Sequence, residues 1–287
     1  IYINKGDTQL SSSRYLDYTP WLIQNDHDSY FKEQLKIEIS DLISRMIVKA
    51  DGRKIIIPLS AGADSRLIAS GLKERGYDNV KCFSYGLKNN YEMKAAKSIA
   101  SKLGFEWTAV PLTYRKARKY FISKGYKLFV KSVLDGCADC GNQDKYAINH
   151  LIKNKYINDS DLIINGASGD FISGGHIYIE DVDLGQKKIN EIKTYENFHR
   201  YLKKHYTLWG EIATEENYRI IFNLLLDQIS GIKDDKIFPS GIFEYIEFEN
   251  RQAKYVTNFQ RTYDYFNLEW LIPLWDISFV NFWSKVP

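Results

Sequence analysis

The sequence predicts an α/β fold with a doubly wound, mostly parallel sheet. Two observations support this prediction. Short apolar runs without polar alternation, such as residues 54–59 (KIIIPL) and 161–165 (DLIIN), have the form of strands buried on both faces. Segments with helical spacing of apolar residues lie between such runs. Strands and helices that alternate in this way form a parallel sheet with helices on both faces.

The predicted elements follow one another in a regular order along the chain. Helices are expected where apolar residues recur at steps of three and four, over residues 29–50, 66–75, 91–103 and 145–155. Strands are expected over residues 54–59, 80–85, 107–110 and 161–165. Beyond Thr194 the signals are almost entirely helical, which predicts a helical C-terminal cap over the functional edge of the sheet. Residues 1–25 are predicted to be an edge strand and linker, and residues 26–287 to be one domain.

Composition excludes several classes of protein. The chain has 287 residues, 15% of them aromatic, which is not the composition of a disordered or low-complexity chain. The formal net charge is only +3, so we expect no nucleic-acid partner. No apolar run approaches the roughly 18 residues that a membrane helix needs, so we expect no membrane contact. The cysteines are odd in number (Cys82, Cys137 and Cys140), which favours a reducing compartment and predicts a cytoplasmic protein.

The segment after the first predicted core strand is the most informative one. It reads Ser60-Ala61-Gly62-Ala63-Asp64-Ser65 and leads into a helix. A helix N-terminus offers free amides and a partial positive charge, and small residues let those amides approach phosphate oxygens. A carboxylate such as that of Asp64 suits Mg²⁺, which proteins hold with one or two carboxylates plus substrate phosphates. The loop therefore predicts a site for a metal-chelated nucleotide. It is not a Walker A loop, because no G-K-[ST] follows.

Three separated motifs resemble those of one enzyme family. The loop at residues 60–65 resembles the pyrophosphate loop of ATP pyrophosphatases. Residues 165–176 (NGASGDFISGGH) resemble the G-E-G-S-D-E-L-F-G-G-Y segment of asparagine synthetases, and residues 271–276 (LIPLWD) resemble that family's R-V-P-F-L-D segment. The chain thus resembles the synthetase domain of an asparagine synthetase-like enzyme over residues 26–287.

The resemblance implies a chemistry and a set of site residues. It implies a domain that uses ATP and Mg²⁺ to adenylate a small-molecule carboxylate, releases pyrophosphate, and lets ammonia displace AMP to form an amide. Asp64 and Asp170 are the implied Mg²⁺ ligands, and Arg261 is the implied pyrophosphate contact. The implied ATP-binding residues follow the first, second and fourth core strands, and they are Leu59, Ser60, Ala61, Gly62, Asp64, Ser65, Ser84, Tyr85 and Gly169.

Two departures from the family pattern carry chemical consequences. Arg261, with Arg251 and Lys254 earlier on the same predicted helix, stands where the family has a lysine; an arginine stays protonated, so its role would be electrostatic. Ala167 stands where the family has a glutamate, so the ammonia step needs another proton acceptor. Asp144, Glu244 and solvent are candidates. The same change removes a substrate contact, so aspartate is in doubt as the acceptor. A uronic acid of a surface polysaccharide pathway is expected as the acceptor equally well.

The nitrogen source and two alternative functions stay open at this stage. The family's glutaminase half uses an N-terminal cysteine, but no cysteine precedes Cys82, so we expect no glutamine hydrolysis by these residues. Residues 1–20 are expected to be the tail of an upstream glutaminase domain, and a separate glutaminase subunit is the alternative partner. The C-x-x-C pair Cys137 and Cys140, with Cys82, allows a tRNA-thiolating enzyme as an alternative. Ala61 and Ala167, in place of expected residues, allow a nucleotide-binding module without turnover.

Two further features have an ordinary structural interpretation as well as a functional one. Residues 113–134 carry seven basic and no acidic residues among several aromatics, a pattern of a solvated basic helical face or of a surface for RNA or a phosphate-bearing substrate. His176 lies in the second glycine-rich turn, where it either packs or faces the cleft.

Overall fold

A parallel five-stranded sheet forms the centre of the computed structural model, which describes residues 16–22, 27–88, 90–133, 143–177, 185–207, 210–234 and 236–286. The strand order is β3-β2-β1-β4-β5, and all four neighbouring pairs run parallel. The strands are β1 Ile55–Pro58, β2 Val80–Gly86, β3 Glu106–Pro111, β4 Leu162–Ile164 and β5 Glu269–Leu271. This confirms the predicted α/β class with a parallel sheet.

Helices cover both faces of this sheet. The α-helices before the end of β4 are α1 Asp28–Ala50, α2 Ala63–Glu74, α3 Tyr91–Leu103, α4 Tyr114–Phe121, α5 Lys124–Val133 and α6 Lys145–Lys153. Those after β4 are α7 Gly169–Ile172, α8 Ile189–Ile192, α9 Tyr195–His205, α10 Glu215–Gln228, α11 Pro239–Glu247, α12 Arg261–Tyr265 and α13 Ile277–Trp283. A π-helix, Phe248–Val256, and a 3-10 turn, Thr257–Gln260, join α11 to α12 without a break, and we call residues 239–265 the long helical run.

The alternation of side chains along β1 explains why the sheet is buried on both faces. Ile55 and Ile57 point into the larger apolar core, which contains residues of α1, α2 and most of the C-terminal helices. Ile56 points to the opposite face, into a smaller core with Ile148 of α6. All three isoleucines are completely buried, which is the environment that a continuous β-branched run predicts.

Two element predictions are corrected by the structure. The helix expected from residue 66 begins at Ala63, because Gly62 is the extended N-cap residue, so Asp64 and Ser65 belong to the first turn of α2. Glu269–Leu271 lies in the region expected to be almost entirely helical, but it forms β5 and pairs with β4. A strand of three residues is too short for a periodicity to show, and only its neighbour makes it a strand.

The N-terminal segment joins the same core. Most of the edge strand and linker predicted over residues 1–25 lies outside the described residues, and residues 16–22 form coil and a turn. Tyr18 and Trp21 are buried, and the Trp21 indole donates a hydrogen bond to Asp234 (3.1 Å). A Cβ at Gly241 of α11 would lie 2.6 Å from the Trp21 backbone, so this helix needs a glycine where the segment crosses it. No described helix is long and apolar enough to cross a membrane.

Candidate active site

The strand order creates a crevice at the carboxyl end of the sheet. The chain passes from β1 through β2 to β3 on one side, and β4 then pairs with the other side of β1. Ligands of open α/β sheets bind at such a reversal, outside the carboxyl ends of the strands. The two glycine-rich segments identified in the sequence follow β1 and β4, so the fold places both of them at this crevice.

The loop after β1 is held by its own serine hydroxyls. The backbone amide of Ser60 donates to Ser65 Oγ (3.1 Å), and the Gly62 amide donates to Ser60 Oγ (3.0 Å). The two hydroxyl oxygens lie 3.1 Å apart. The amides of residues 63–65 lie in the first turn of α2, where helix geometry provides no intrahelical acceptor. The loop therefore presents donors and a helix N-terminus to an anion.

One loop amide already has an anionic partner. The Ala61 amide donates to Glu92 Oε2 at 2.7 Å, and Glu92 lies in the first turn of α3. The Glu92 side chain is exposed, so it is free to leave this position. A carboxylate thus occupies the donor that a phosphate oxygen would use.

Glycines bring the turn after β4 into contact with Asp64. A Cβ at Gly166 would lie 2.8 Å from both Asp64 Cβ and Ser65 N. A Cβ at Gly169 would overlap the Asp64 carboxylate itself. Only glycine fits at either position, because side chains there would displace the metal-ligand candidate or the loop. The structure thereby joins two motifs that lie about a hundred residues apart in the sequence.

The two predicted metal ligands lie near one another. Burial raises the pKa of Asp64, and the negative charge of Asp170 raises it further. The hydrogen bond from His176 lowers the pKa of Asp170. Two carboxylates that repel each other beside a candidate phosphate-binding loop suit a divalent cation. The cation would relieve the repulsion and would also bind phosphate oxygens. No group of three or more His, Cys, Asp or Glu residues in the described part of the chain forms a complete protein-only metal site.

His176 connects Asp170 to a buried carboxylate. Its Nε2 lies 3.0 Å from Asp170 Oδ2, and its Nδ1 lies 2.9 Å from Glu247 Oε1. Hydrogen bonds to these two carboxylates raise the pKa of His176 to about 9, so the imidazole is a cation at neutral pH and donates from both nitrogens. Burial raises the pKa of Glu247, whose side chain is 2% exposed, but the bond from His176 and nearby positive charge outweigh it and the pKa is lowered. Arg251 Nη1 lies 3.1 Å from the same Glu247 oxygen.

The long helical run touches the second turn at two further points. Ser168 Oγ donates to Gln252 Oε1 (3.0 Å), and Asn165 Nδ2 donates to Gln260 Oε1 (2.7 Å). Ser168 is buried and has a left-handed backbone with φ +74°, which few residues other than glycine adopt, so this bond offsets conformational strain. Arg261 directly follows Gln260 as the first residue of α12. The run thus places Arg261 at the end of β4 by its backbone, while Arg251 is the arginine beside His176 and Glu247.

The predicted ATP-binding residues Leu59, Ser84 and Tyr85 lie at the ends of β1 and β2. Leu59 is buried, and its amide donates to the Phe83 carbonyl (2.8 Å). Ser84 is also buried; its hydroxyl donates to the Leu59 carbonyl (2.6 Å) and accepts from the Trp107 indole (3.0 Å). The Ser84 side chain therefore connects the ends of β1, β2 and β3. Because its hydroxyl is engaged in these bonds, Ser84 would contact the adenine base through its backbone groups. Tyr85 is half-buried beside it.

The two carboxylates considered as proton acceptors have different surroundings. Tyr263 donates to Asp144 Oδ2 (2.5 Å) and accepts from Asn165 Nδ2 (3.4 Å), so Asp144 is linked to the turn after β4. Burial raises the pKa of Asp144 to about 6. Glu244 instead accepts a hydrogen bond from Tyr18, and burial raises its pKa to about 7.

Several residues at this crevice were not foreseen from the sequence. Glu92, Glu247, Gln252 and Gln260 reach the two glycine-rich segments from helices that lie far away in the chain. The i,i+4 spacing of Glu247 and Arg251 could have suggested a helical ion pair. Nothing in the sequence indicates that His176 contacts the same glutamate.

Comparison with known proteins shows the family. The sequence profile described as asparagine synthase matches residues 48–287, which is most of the chain. The chain belongs to the asparagine synthase family. This is a family of ATP-dependent, amide-forming ligases, and it is the one that the three motifs resemble. The match spans β1 to the C-terminal helices, so both glycine-rich segments and the long helical run lie inside the family's domain.

Solved structures were also compared with the chain, and one of those that match it is an enzyme of known reaction type. It is an NH3-dependent NAD synthetase from Campylobacter jejuni in complex with a nitrate ion, with 17% sequence identity and a TM-score of 0.36. The superposition covers 81% of this chain and 96% of that chain. No curated protein matches the chain in sequence.

Proposed function

We propose that this chain forms an amide by adenylating a carboxylate with ATP and then transferring ammonia, with release of AMP and pyrophosphate. The observation that supports it best is the glycine contact between the two motifs. Gly166 and Gly169 let the turn that carries Asp170 touch Asp64 at the switch point of the sheet. Family membership supports ATP as the nucleotide.

The loop and the two aspartates would hold the triphosphate. The first-turn amides of α2 and the helix N-terminus would face the phosphates, and Ser60, Gly62 and Ser65 shape the loop. Asp64 and Asp170 would hold Mg²⁺, which would neutralise charge on the β- and γ-phosphates when bound. His176 keeps Asp170 ionised and oriented by its bond to Oδ2.

Adenylation then needs positioning and charge stabilisation more than proton transfer. An oxygen of the ionised acceptor carboxylate attacks the α-phosphorus, a new O–P bond forms, and the bond from the α-phosphorus to the bridging oxygen of pyrophosphate breaks. Arg261 would neutralise the departing pyrophosphate, since a guanidinium binds phosphate with two parallel hydrogen bonds. Arg251 and Arg261 lie on the same helical run, which supports a role for both charges near the crevice.

The ammonia step requires a proton acceptor. Ammonia attacks the acyl carbon, the carbon–oxygen bond to AMP breaks, and the attached nitrogen loses a proton. Ala167 cannot accept it, whereas Asp144 is linked to the second turn through Tyr263 and Asn165. A carboxyl pKa of about 6 suits a base that works near neutral pH, so we propose Asp144 for this role, through Tyr263.

The acceptor and the nitrogen source are part of the proposal. Aspartate and a sugar uronic acid are the two acceptor classes, because Ala167 removes a side chain that would contact an amino acid substrate and leaves space. Ammonia would come from solution, from an upstream glutaminase domain or from a separate glutaminase subunit.

The thiolation alternative is disfavoured by Cys82, since burial raises the pKa of this thiol to about 12 and the reactive thiolate is not formed. Cys137 and Cys140 lie outside the described residues. Ala167, which stands where the family has a glutamate, favours the nucleotide-binding module without turnover as the second candidate.

Phosphorus NMR tests the reaction directly. The protein is incubated with MgATP, ammonium and one acid at a time: aspartate, glucuronic acid, galacturonic acid and their uridine diphosphate conjugates. We expect AMP and pyrophosphate in equal amounts with one acid, and loss of both products in Asp64→Asn and Asp170→Asn. Asp159→Asn, an exposed aspartate before β4, is the matched control and should keep the activity. ATP that binds but stays intact with every acid would instead support the nucleotide-binding module.

A further inference from the structure

A second cavity lies on the other side of α6 from the sheet. It has a volume of about 540 Å³ and is bounded by α4, by the start of α5, by α6 and by the end of α12. None of its lining residues belongs to the loop after β1 or to the turn after β4. It is therefore a separate cavity from the crevice that holds Asp64 and Asp170. Its volume lies in the range of cavities that enclose small-molecule ligands.

Positive charge lines this cavity. Lys116 and Lys119 approach it from α4, Lys145 and Lys153 from α6, and His150 lies beside them. Among the described residues that form its wall, none is acidic. A concave surface with charge of one sign concentrates the field and attracts ions of the opposite sign. The basic stretch recognised in the sequence thus contributes one wall, and α6 contributes the other.

Lys145 is built into the floor of the cavity among aromatic rings. The residue is only 2% exposed, and its Nζ lies 3.7 Å from the ring centre of Phe129, 5.0 Å from that of Tyr265 and 5.3 Å from that of Tyr120. Ring faces stabilise an ammonium that has lost water. A charge in such low-dielectric surroundings acts on an anion more strongly than a lysine in solvent does.

The cavity wall also offers rings and an unsatisfied donor. Tyr120 and Tyr146 line it together with Tyr265 and Phe266, which supplies flat surface for a ring. The Tyr120 hydroxyl is buried and has no hydrogen-bond partner in the described part of the structure. A buried hydroxyl normally has a partner, and a ligand oxygen would provide one.

We propose that this cavity binds a small phosphorylated molecule that carries a ring, of the size of a nucleoside diphosphate or a sugar phosphate. The lysines at the rim and Lys145 at the floor contact the phosphate, and the tyrosine rings contact the ring of the ligand. The site is separate from the proposed reaction and stands whether or not amide formation is observed.

Calorimetric titration with three probes in EDTA tests the proposal, because chelation of Mg²⁺ removes metal-dependent binding at the crevice. The probes are uridine diphosphate, glucose 1-phosphate and inorganic pyrophosphate. We expect at least one of them to bind with one-to-one stoichiometry and a Kd below about 1 mM. Tight binding of pyrophosphate alone would overturn the requirement for a ring. Binding of a single-stranded oligoribonucleotide but of no probe at about 5 mM would overturn the proposal in favour of an RNA surface.

Matched charge variants locate the binding. The double variant Lys116→Ala/Lys119→Ala removes two exposed lysines of the cavity, and Lys127→Ala/Lys131→Ala removes two exposed lysines of α5 that do not line it. We expect the first pair to weaken binding about tenfold or more, as loss of charge-assisted bonds to phosphate does, and the second to change it less than about threefold. Equal weakening in both pairs would show a general charge effect and overturn the site. All four lysines are exposed, so folding is not at risk in either variant.

Discussion

At the residue scale, single atoms decide how the crevice meets a phosphate. The Ala61 amide is bonded to the Glu92 carboxylate, so a phosphate oxygen has to displace this side chain before it can use the donor. Replacement of the Glu92 carboxylate by a phosphate would lower the affinity for the nucleotide without changing the shape of the loop. If the loop binds ATP as proposed, Glu92 competes with the nucleotide for this donor.

Replacement of Glu92 by alanine should tighten MgATP binding. A charge-assisted hydrogen bond is worth about 1–2 kcal/mol, and its loss in the free protein corresponds to an affinity gain of about five- to thirtyfold. Isothermal titration without an acceptor acid measures the Kd. Glu74→Ala, an exposed glutamate at the end of α2, is the control and should leave the Kd unchanged. Weaker binding in Glu92→Ala would mean that the carboxylate belongs to the nucleotide site itself.

The contact between Gly169 and Asp64 predicts a sharp effect of one methyl group. Gly169→Ala should abolish AMP formation, because the new Cβ overlaps the Asp64 carboxylate and pushes it out of position. We expect a loss of stability of about 1–3 kcal/mol, as for overpacking elsewhere. Phosphorus NMR measures the activity and urea unfolding the stability. Gly231→Ala, where a Cβ meets nothing within 4 Å, is the matched control. Full activity of Gly169→Ala would refute the proposed role of Asp64.

At the scale of elements, charged side chains connect the long helical run to the turn after β4. His176 bridges Asp170 and Glu247, and Arg251 adds a second cation beside the buried Glu247. A buried carboxylate needs such partners, because removal of one leaves a charge without compensation. Hydrogen bonds between uncharged groups connect the same two elements, because Gln252 accepts from Ser168 and Gln260 accepts from Asn165. The site is thus held by two elements that lie about eighty residues apart in the chain.

This bridge predicts a pH dependence of stability. The pKa of His176 is raised from 6.5 to about 9, so the protonated form is favoured in the folded state. Its contribution is fully present below about pH 6.5 and is lost as the pH rises through about 9. The raised pKa alone corresponds to about 3 kcal/mol, and solvent screening of this partly exposed side chain reduces it, so we expect a loss of about 2 kcal/mol in the free energy of unfolding between pH 6.5 and pH 9.5. Urea unfolding at stepped pH should show this slope in the wild type and in His150→Gln, and a flatter profile in His176→Gln. An unchanged slope in His176→Gln would assign the effect to another group.

At the scale of the whole molecule, the elements around the crevice share one apolar core. The crevice is formed by the loop after β1, the turn after β4 and the long helical run, which belong to one continuous core. A ligand that binds only the folded chain stabilises all of it by mass action.

MgATP should therefore raise the melting temperature. At a concentration of 100 times Kd the stabilisation is about 2.7 kcal/mol, which corresponds to a rise of about 5 °C for a chain of this size. In a Lys116→Ala/Lys119→Ala background, which removes the lysines of the second cavity, the rise should vanish with EDTA and in Asp64→Asn, because the metal link between carboxylate and phosphate is lost. Differential scanning calorimetry with ATP alone and magnesium alone provides the controls. An equal rise with ATP in EDTA would argue against the two aspartates as metal ligands.

The sequence by itself determined the parallel α/β fold, the two glycine-rich segments and the types of side chain expected at the crevice. Those features depend on local information: buried strands need continuous apolar runs, and phosphate loops need small residues before a helix. Asp64 and Asp170 could be paired in advance because parallel strands bring their carboxyl ends to one edge of the sheet. Tertiary structure alone decided the rest. β5 is a strand only through its pairing with β4, and Glu92, Glu247 and Gln252 reach the site through the packing of distant helices. No local pattern records such contacts, since they arise where separate elements meet in the folded chain.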